Sequence, residues 1–319
     1  MLNTQFSPWP SFTQEEADAV SQVLLSNKVN YWTGTECREF EKEFAAWAGT
    51  DYAVALANGT LALDVALQAM GIGEGDEVIV TPRSFIASVS TVVNAGAIPV
   101  FADVDNNTGN ISATTIAPKI TDKTKAIICV HLAGWPCDMD EIMALAKQHN
   151  LWVIEDCAQA HGAKYKGKPV GSIGHVGAWS FCQDKIMTTG GEGGMVTTND
   201  KALWQKMWEY KDHGKNYDSI YHKQHPPGFR WLHDSFGTNW RMMEMQAAIG
   251  RIQLKKMAEW TKIRTQNAKI LRDALTQFAG EQQFLRIPDI EFHQVMGGDS
   301  VHAYYKYYVY VRPENLPEN

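Results

Sequence analysis

Three short stretches of this chain carry residue types that can do chemistry together. The first is Lys185 in the run SFCQDKIMTTGGEGG, between the apolar stretch 178–182 and a glycine-rich turn at 190–194. Schiff-base chemistry needs a neutral amine, and a lysine at a strand end with little bulk behind it can supply one. Alone, such a lysine reads first as an ordinary surface loop residue, and only the rest of the constellation overturns that. The second is Asp156, which with Glu155 closes the apolar run 151–154. A carboxylate at the C-terminal edge of an α/β strand can keep a bound ring nitrogen protonated, so that the ring withdraws electrons. The competing reading is a helix N-cap. Glu155 alternates to the opposite face and is the weaker candidate. The third is Asn58-Gly59-Thr60. Glycine admits close backbone approach, a helix start offers free N–H groups to an anion, and the threonine hydroxyl adds a donor. Neither G-x-G-x-x-G nor G-x-x-x-x-G-K-[ST] is present, and a plain capped helix start is the alternative.

The elements that must position these residues follow from hydrophobic period. Short apolar runs at 52–57, 77–81, 99–104, 126–131, 152–156, 178–182 and 194–198 predict strands. Helix-period segments at 61–70, 86–95, 114–120 and 139–148 separate the first five. Strands buried on both faces and alternating with helices predict an α/β fold with a mostly parallel sheet flanked by helices. Beyond 198 the pattern changes. A helix is expected over 201–213, an irregular connection over 212–235, and a long helix over 242–278 with room for one break. The aromatic run VHAYYKYYVYV at 301–311 reads as a strand. The expected organisation is a large domain over 1–250 with an N-terminal arm. Residues 251–319 would then supply a linking helix and part of a smaller α+β domain. The residues after 311 are too few to cover both faces of such a strand, so the rest of that domain is expected outside this chain.

Composition excludes several classes. At 319 residues with 45% hydrophobic and 20% charged content the chain has the make-up of an ordinary globular protein rather than a disordered or fibrous one. Its net charge of −7 argues against nucleic-acid binding, which needs a basic surface. Five cysteines without a C-x-x-C pair imply a reduced, cytoplasmic setting, with Cys129, Cys157 and Cys182 expected in the core. The acidic first thirty residues predict no signal peptide, and no apolar run is long enough to span a membrane.

Taken together the chemical stretches resemble the fold-type I pyridoxal-phosphate enzymes. More narrowly they resemble the DegT/DnrJ/EryC1/StrS family of sugar aminotransferases. The resemblance is carried by WTGTECREFEKEFAAWAG, ALANGTLALDVAL, DEVIVTPRSFIAS, IPVFADVD, VHLAGWPCDMD, VIEDCAQAHGA, WSFCQDKIMTTGGEGGM and TNWRMMEMQAAIG, in family order from about Tyr31 to Gln253. It implies that Lys185 forms the Schiff base with pyridoxal 5'-phosphate and acts as acid and base. Asp156 would pair with the ring nitrogen, and Gly59, Thr60 and Ser180 would hold the phosphate. Phe85 would stack on the ring, and Gln159 would lie near it and its 3-oxygen. Asn239 would reach the phosphate of a neighbouring subunit, which makes the active unit a homodimer with shared sites. The implied reaction is ping-pong, with pyridoxamine phosphate carrying an amino group from glutamate to a nucleotide-linked keto-deoxy sugar.

Two details bear on the branch. A dehydratase branch of the family replaces the lysine by histidine, whereas Lys185 is present. The lysine motif continues TTGGEGG where many members read LGALGDGG, and it resembles enzymes that aminate C4 more than C3. Trp32, His131 and His161 fall within matched motifs and are substrate candidates, although each histidine reads more readily as a hydrogen-bonded structural residue. His213, His222, His225 and His233 lack zinc-ligand spacing, so no metal site is expected. Another reaction on the same scaffold, as a sugar dehydratase or lyase, and a cofactor-binding regulatory protein are the alternatives.

Overall fold

A computed structural model describes residues 8–280 and 283–316. Its centre is a seven-stranded sheet. The strands are β1 (Tyr52–Leu56), β2 (Glu77–Val80), β3 (Ile98–Phe101), β4 (Thr124–Val130), β5 (Trp152–Asp156), β8 (Val176–Ser180) and β9 (Gly194–Thr198), with a small hairpin, β6 (Lys164–Tyr165) and β7 (Lys168–Pro169), between β5 and β8. Their spatial order is β1-β9-β8-β5-β4-β2-β3. Pairs from β3 to β8 are parallel, and β9 runs antiparallel to both of its neighbours. Each of the seven expected strands is present, with ends shifted by up to three residues. β8 and β9 are buried along their whole length, as strands covered on both faces must be.

Helices α3 (Gly59–Ala69), α4 (Ala87–Asn94), α5 (Ala113–Ile116), α6 (Met139–His149) and α7 (Lys201–Tyr210) fall where the helical period places them. Two more precede the sheet. α1 (Gln14–Leu25) begins with a capping box between Thr13 and Glu16. α2 (Glu36–Ala48) buries Cys37, Phe40, Phe44, Ala45 and Ala48 on one face and ends at Gly49 in the left-handed conformation, φ 71°. α8 (Tyr217–Tyr221) is a short turn of helix inside the connection expected to be irregular. The long helix α9 (Glu244–Leu275) is unbroken and packs along α1 and α2. Arg251 ties it to Glu36 and Glu43 of α2, and Lys256 ties it to Glu15 and Glu16 of α1.

The expected strand over 301–311 does not form. Val301 makes one bridge to Lys164, and only Tyr310–Val311 (β11) pairs, with Leu285–Arg286 (β10). In between, the chain turns at Tyr304, φ 51°, and its backbone is held by the 133–134 turn: Ala303 N–H donates to Gly134 O and Tyr305 N–H to Ala133 O. Aromatic content favours a strand only where a partner edge is free. Here tertiary contacts take the rings instead, with Tyr304 stacked on His302 at 4.1 Å. Cys182 also departs from expectation, being half-buried while the other four cysteines are buried; all five are thiols. Among the described residues no helix is long and apolar enough to cross a membrane.

Candidate active site

The parallel strands put their carboxyl ends on one edge of the sheet, and the register brings the chemical residues to that edge. Asp156, the last residue of β5, lies opposite Ala178 of β8. Ser180 at the end of β8 lies opposite Gly194, which on its other side lies opposite Leu56 at the end of β1. Asn58-Gly59-Thr60 follows two residues after Leu56, and Lys185 follows five after Ser180.

The close approach of these ends depends on two glycines. A Cβ on Gly194 would lie 2.2 Å from the Asn58 carbonyl oxygen, and one on Gly59 would lie 2.5 Å from Ser180 Cβ. The start of α3 is thus pressed against the end of β8 with only hydrogens between. Asn58 caps α3, accepting from Leu61 N–H at 3.0 Å. The capped-helix reading of this stretch is therefore correct, and it coexists with a cradle of N–H groups at a helix start.

A cleft of about 1080 Å³ opens over this edge, slightly above the usual range of small-molecule sites. Gly59, Thr60, Phe85, Asp156, Gln159, Ser180 and Lys185 all line it. Asp156 is buried at its floor, accepting from Ser88 Oγ at 2.8 Å and from Ala158 N–H at 3.1 Å. Burial raises its carboxyl above the usual aspartate range against the pull of those two bonds. Lys185 Nζ sits 2.9 Å from both oxygens of Asp184, which also accepts from Tyr305 O–H at 2.7 Å. Burial opposes the Asp184 charge, but Tyr305 and Lys185 outweigh it and hold this carboxyl at about 2. Phe85 is 70% exposed, so it is no core aromatic. Gln159 lines the wall while its amide oxygen accepts from Ala133 N–H at 2.7 Å.

Four expected residues do not line the cleft of their own chain. His131 is buried and structural: Nε2 faces Glu155 at 2.9 Å and Nδ1 accepts from Cys137 N–H at 2.9 Å. Glu155 also accepts from the N–H groups of Gly171, Ile173 and Gly174. Burial opposes its charge, and those donors with His131 outweigh it and keep the carboxyl below its usual range. With Cys157 these two place ligand-type atoms within 4.8 Å of one another, but hydrogen bonds already occupy them. His161 is wholly buried against Trp179 and Phe181, and burial drives its imidazole down to about 3. Both histidines sit near strand ends in sequence, yet their side chains face the core. Trp32 packs on Tyr31 and Trp208, under Lys215 Nζ at 4.3 Å from its ring. Asn239 is exposed, on a segment that bridges Asp212 and, at Arg241, Leu56.

Sequence reasoning missed Ser88, Asp184, Arg83, Lys306 and the tyrosines 305 and 308, all of which line the cleft. Ser88 and Asp184 lay inside quoted motifs. The residues of 305–308 were hidden by reading their run as a strand.

The model of the DegT/DnrJ/EryC1/StrS aminotransferase family matches residues 10–316. The chain belongs to that family. It is 45% identical over 267 residues to the GDP-perosamine synthase of Escherichia coli O157:H7, covering 82% of this chain and 69% of that protein. To the dTDP-3-amino-3,6-dideoxy-alpha-D-galactopyranose transaminase of Aneurinibacillus thermoaerophilus it is 37% identical over 301 residues, covering 94% and 76%. A solved structure of an aminotransferase from Psychrobacter cryohalolentis superposes with a TM-score of 0.96 at 70% identity, over 98% of this chain and 79% of that one. The family membership makes the fold that of its aminotransferases, in agreement with the mixed, mostly parallel sheet.

Proposed function

We propose that this chain transfers an amino group from glutamate to a nucleotide-linked keto-deoxy sugar, at C4 in preference to C3, with pyridoxal 5'-phosphate as cofactor. The observation that carries the reading is the single cleft in which Lys185, Asp156 and the Gly59–Ser180 contact meet. Those residues fit the cofactor. A buried carboxylate suits a protonated ring nitrogen, an amine suits an aldehyde, and a glycine-lined helix start beside a serine suits a phosphate. When bound, the cofactor supplies an electron sink for the carbanion left at a deprotonated carbon.

The chain's own residues do the rest. Asp156 would hold a protonated ring nitrogen, and Ser88 and Ala158 fix the carboxylate's orientation. Lys185 would hold the cofactor through its Nζ, and the same amine would carry a proton. Gly59, Thr60 and Ser180 would hold the phosphate, and Phe85 and Gln159, which line the same cleft, would hold the ring. Arg83 and Lys306 place cationic groups on the cleft wall beside Tyr305 and Tyr308, with Arg83 4.9 Å from the Tyr308 ring. Cations with aromatic faces suit a diphosphate bearing a base. Relatives named for GDP-linked and dTDP-linked amino sugars support a nucleotide sugar. The preference for C4 rests on the TTGGEGG motif, and the relative named for a 3-amino sugar is the less similar of the two.

The working unit is a homodimer with shared sites. Phe229, Trp231 and Phe236 are 79%, 81% and 98% exposed in the segment before Asn239. That concentration of apolar surface is suited to a partner. With five free thiols, the cytoplasm is the setting we assign. Incubation with glutamate and UDP-, GDP- and dTDP-linked 3- and 4-keto sugars, read by mass spectrometry, tests the substrate. Conversion of a 4-keto sugar to its amine is expected. Conversion of 3-keto sugars alone would overturn the C4 assignment, and no conversion of any sugar by cofactor-loaded protein would overturn the substrate class.

A further inference from the structure

A second cavity, of about 360 Å³, lies against the lysine. Its walls are Trp9, Trp260, Ile263 and Ile186, with Asp184, Lys185 and Tyr305 shared with the main cleft. Trp9 closes one side, its indole N–H donating to the Lys185 carbonyl at 3.2 Å and its ring meeting Trp260 edge-on at 5.9 Å. The one charged side chain belonging to this cavity alone is Arg264 of α9.

What sets Arg264 apart is burial without a counter-charge, since Arg38, Arg83 and Arg286 also bond to carbonyl or hydroxyl oxygens rather than to carboxylates. Arg241, Arg251 and Arg272 each pair with a carboxylate, whereas no carboxylate of the described residues lies within 4.0 Å of Arg264. Its Nε donates to Ala303 O at 2.8 Å and one terminal nitrogen to Thr261 Oγ1 at 3.2 Å. A guanidinium has five N–H donors, so three of them have no partner among the described residues. Burial without a counter-charge pushes it down to about 10, a cost the fold bears with no compensating ion pair. Charges in the cavity do not cancel. Asp184 and Lys185 neutralise one another at 2.9 Å, and Arg264 leaves a net positive charge between apolar walls.

We propose that Arg264 is the carboxylate-binding residue for the amino donor, and equally for the keto acid it becomes. Its forked donors match a carboxylate in bidentate fashion, the apolar walls match a short aliphatic chain, and the cavity's size suits a small amino acid rather than a nucleotide sugar. The shared wall of Asp184, Lys185 and Tyr305 places the donor's other end beside the lysine. The proposal rests on the aminotransferase reading above and adds which residue selects the donor.

Titration calorimetry of the cofactor-free protein with 2-oxoglutarate tests it without turnover. Arg264→Gln is expected to weaken binding by about 10- to 100-fold, the worth of a charge-assisted pair. Arg264→Lys keeps the charge and should retain part of the affinity. In the loaded protein Arg264→Gln should raise KM for glutamate and leave KM for the nucleotide sugar in place. Unchanged 2-oxoglutarate binding and unchanged glutamate KM in a variant with native circular dichroism would overturn the proposal. A rise confined to the nucleotide sugar's KM would also overturn it, and would give the arginine to an acidic sugar instead. Borohydride labelling of the cofactor-loaded protein separates the two readings: a labelled Lys185 with an indifferent Arg264 sinks only the donor site, and an unlabelled Lys185 sinks the aminotransferase reading itself.

Discussion

Gly59→Ala probes the contact on which the phosphate end of the cleft depends. The new methyl would stand 2.5 Å from Ser180 Cβ and 2.9 Å from Ser180 Cα. Ordinary carbon contacts lie at about 3.5–4.0 Å, so something must retreat by roughly 1 Å. β8 is not free to do so: Ser180 pairs with Gly194, and Gly194 is itself against the Asn58 carbonyl. The displacement therefore falls on the first turn of α3. Overpacking of this kind costs about 1–3 kcal/mol, and stiffening the unfolded chain returns about 0.4–1 kcal/mol, leaving a net loss of about 1–2 kcal/mol. The functional effect should be larger. Losing one aligned donor to a phosphate weakens binding by about 10- to 100-fold. Equilibrium dialysis of pyridoxal phosphate against the cofactor-free variant, with urea unfolding beside it, reads both numbers. Adding Ser180→Gly removes the nearer of the two clashes and should recover part of the unfolding midpoint. Wild-type cofactor affinity together with a wild-type midpoint in Gly59→Ala would refute the reasoning.

Further outcomes are expected elsewhere. Asp156→Asn should keep the fold, since an amide can still accept from Ala158, but lose at least about 100-fold in the glutamate half-reaction, because a neutral group no longer holds a protonated ring nitrogen; a near wild-type rate would reassign Asp156 to capping. Asn239→Ala should weaken cofactor retention, and mixing it with Lys185→Ala chains should restore activity in hybrid dimers, where one site has both residues intact. Free subunit exchange with no recovery would count against a shared site. His161, with an imidazole held at about 3 by burial against an ordinary value of 6.5, stays neutral while the unfolded chain takes up a proton. Its contribution to stability is full above about pH 6.5 and declines as the pH falls toward 3, amounting to about 2 kcal/mol lost by pH 5. Urea midpoints at pH 7 and pH 5 should converge in His161→Leu, and an unaltered gap between them would contradict the assignment.

The sheet was legible in the sequence because both-face burial writes itself as continuous apolar runs, and a strand such as 152–156 can satisfy that pattern in one way only. Gly59, Thr60, Asp156 and Lys185 were legible because each sits within five residues of a strand's carboxyl end, and parallel register collects those ends at one edge, whereas Ser180, inside the run 178–182, was pointed to by the family resemblance alone. What escaped was decided by contacts distant in sequence. Tyr305 faces Asp184 across 121 positions, and the 303–306 backbone is held by residues 133 and 134. No local pattern encodes that, and the β-preference of five tyrosines pointed the other way. His131 and His161 fall on the structural side that their sequence context already favoured over a substrate role. Position at a strand end is readable, but the side of the sheet a turn residue faces depends on φ and ψ after the strand stops. α2 was missed although its apolar spacing is plainly helical, since the stretch was weighed for its motif and not for its period.

The claim on which the rest depends is that Lys185 bears the cofactor. The protein should be saturated with pyridoxal phosphate, reduced with borohydride, digested and mapped by mass spectrometry. The account predicts the reduced cofactor's mass on the peptide containing Lys185 and its loss in Lys185→Ala, with Asp156→Asn still labelled. Cofactor mass on any other lysine of the wild-type chain, with Lys185 unmodified, would contradict it.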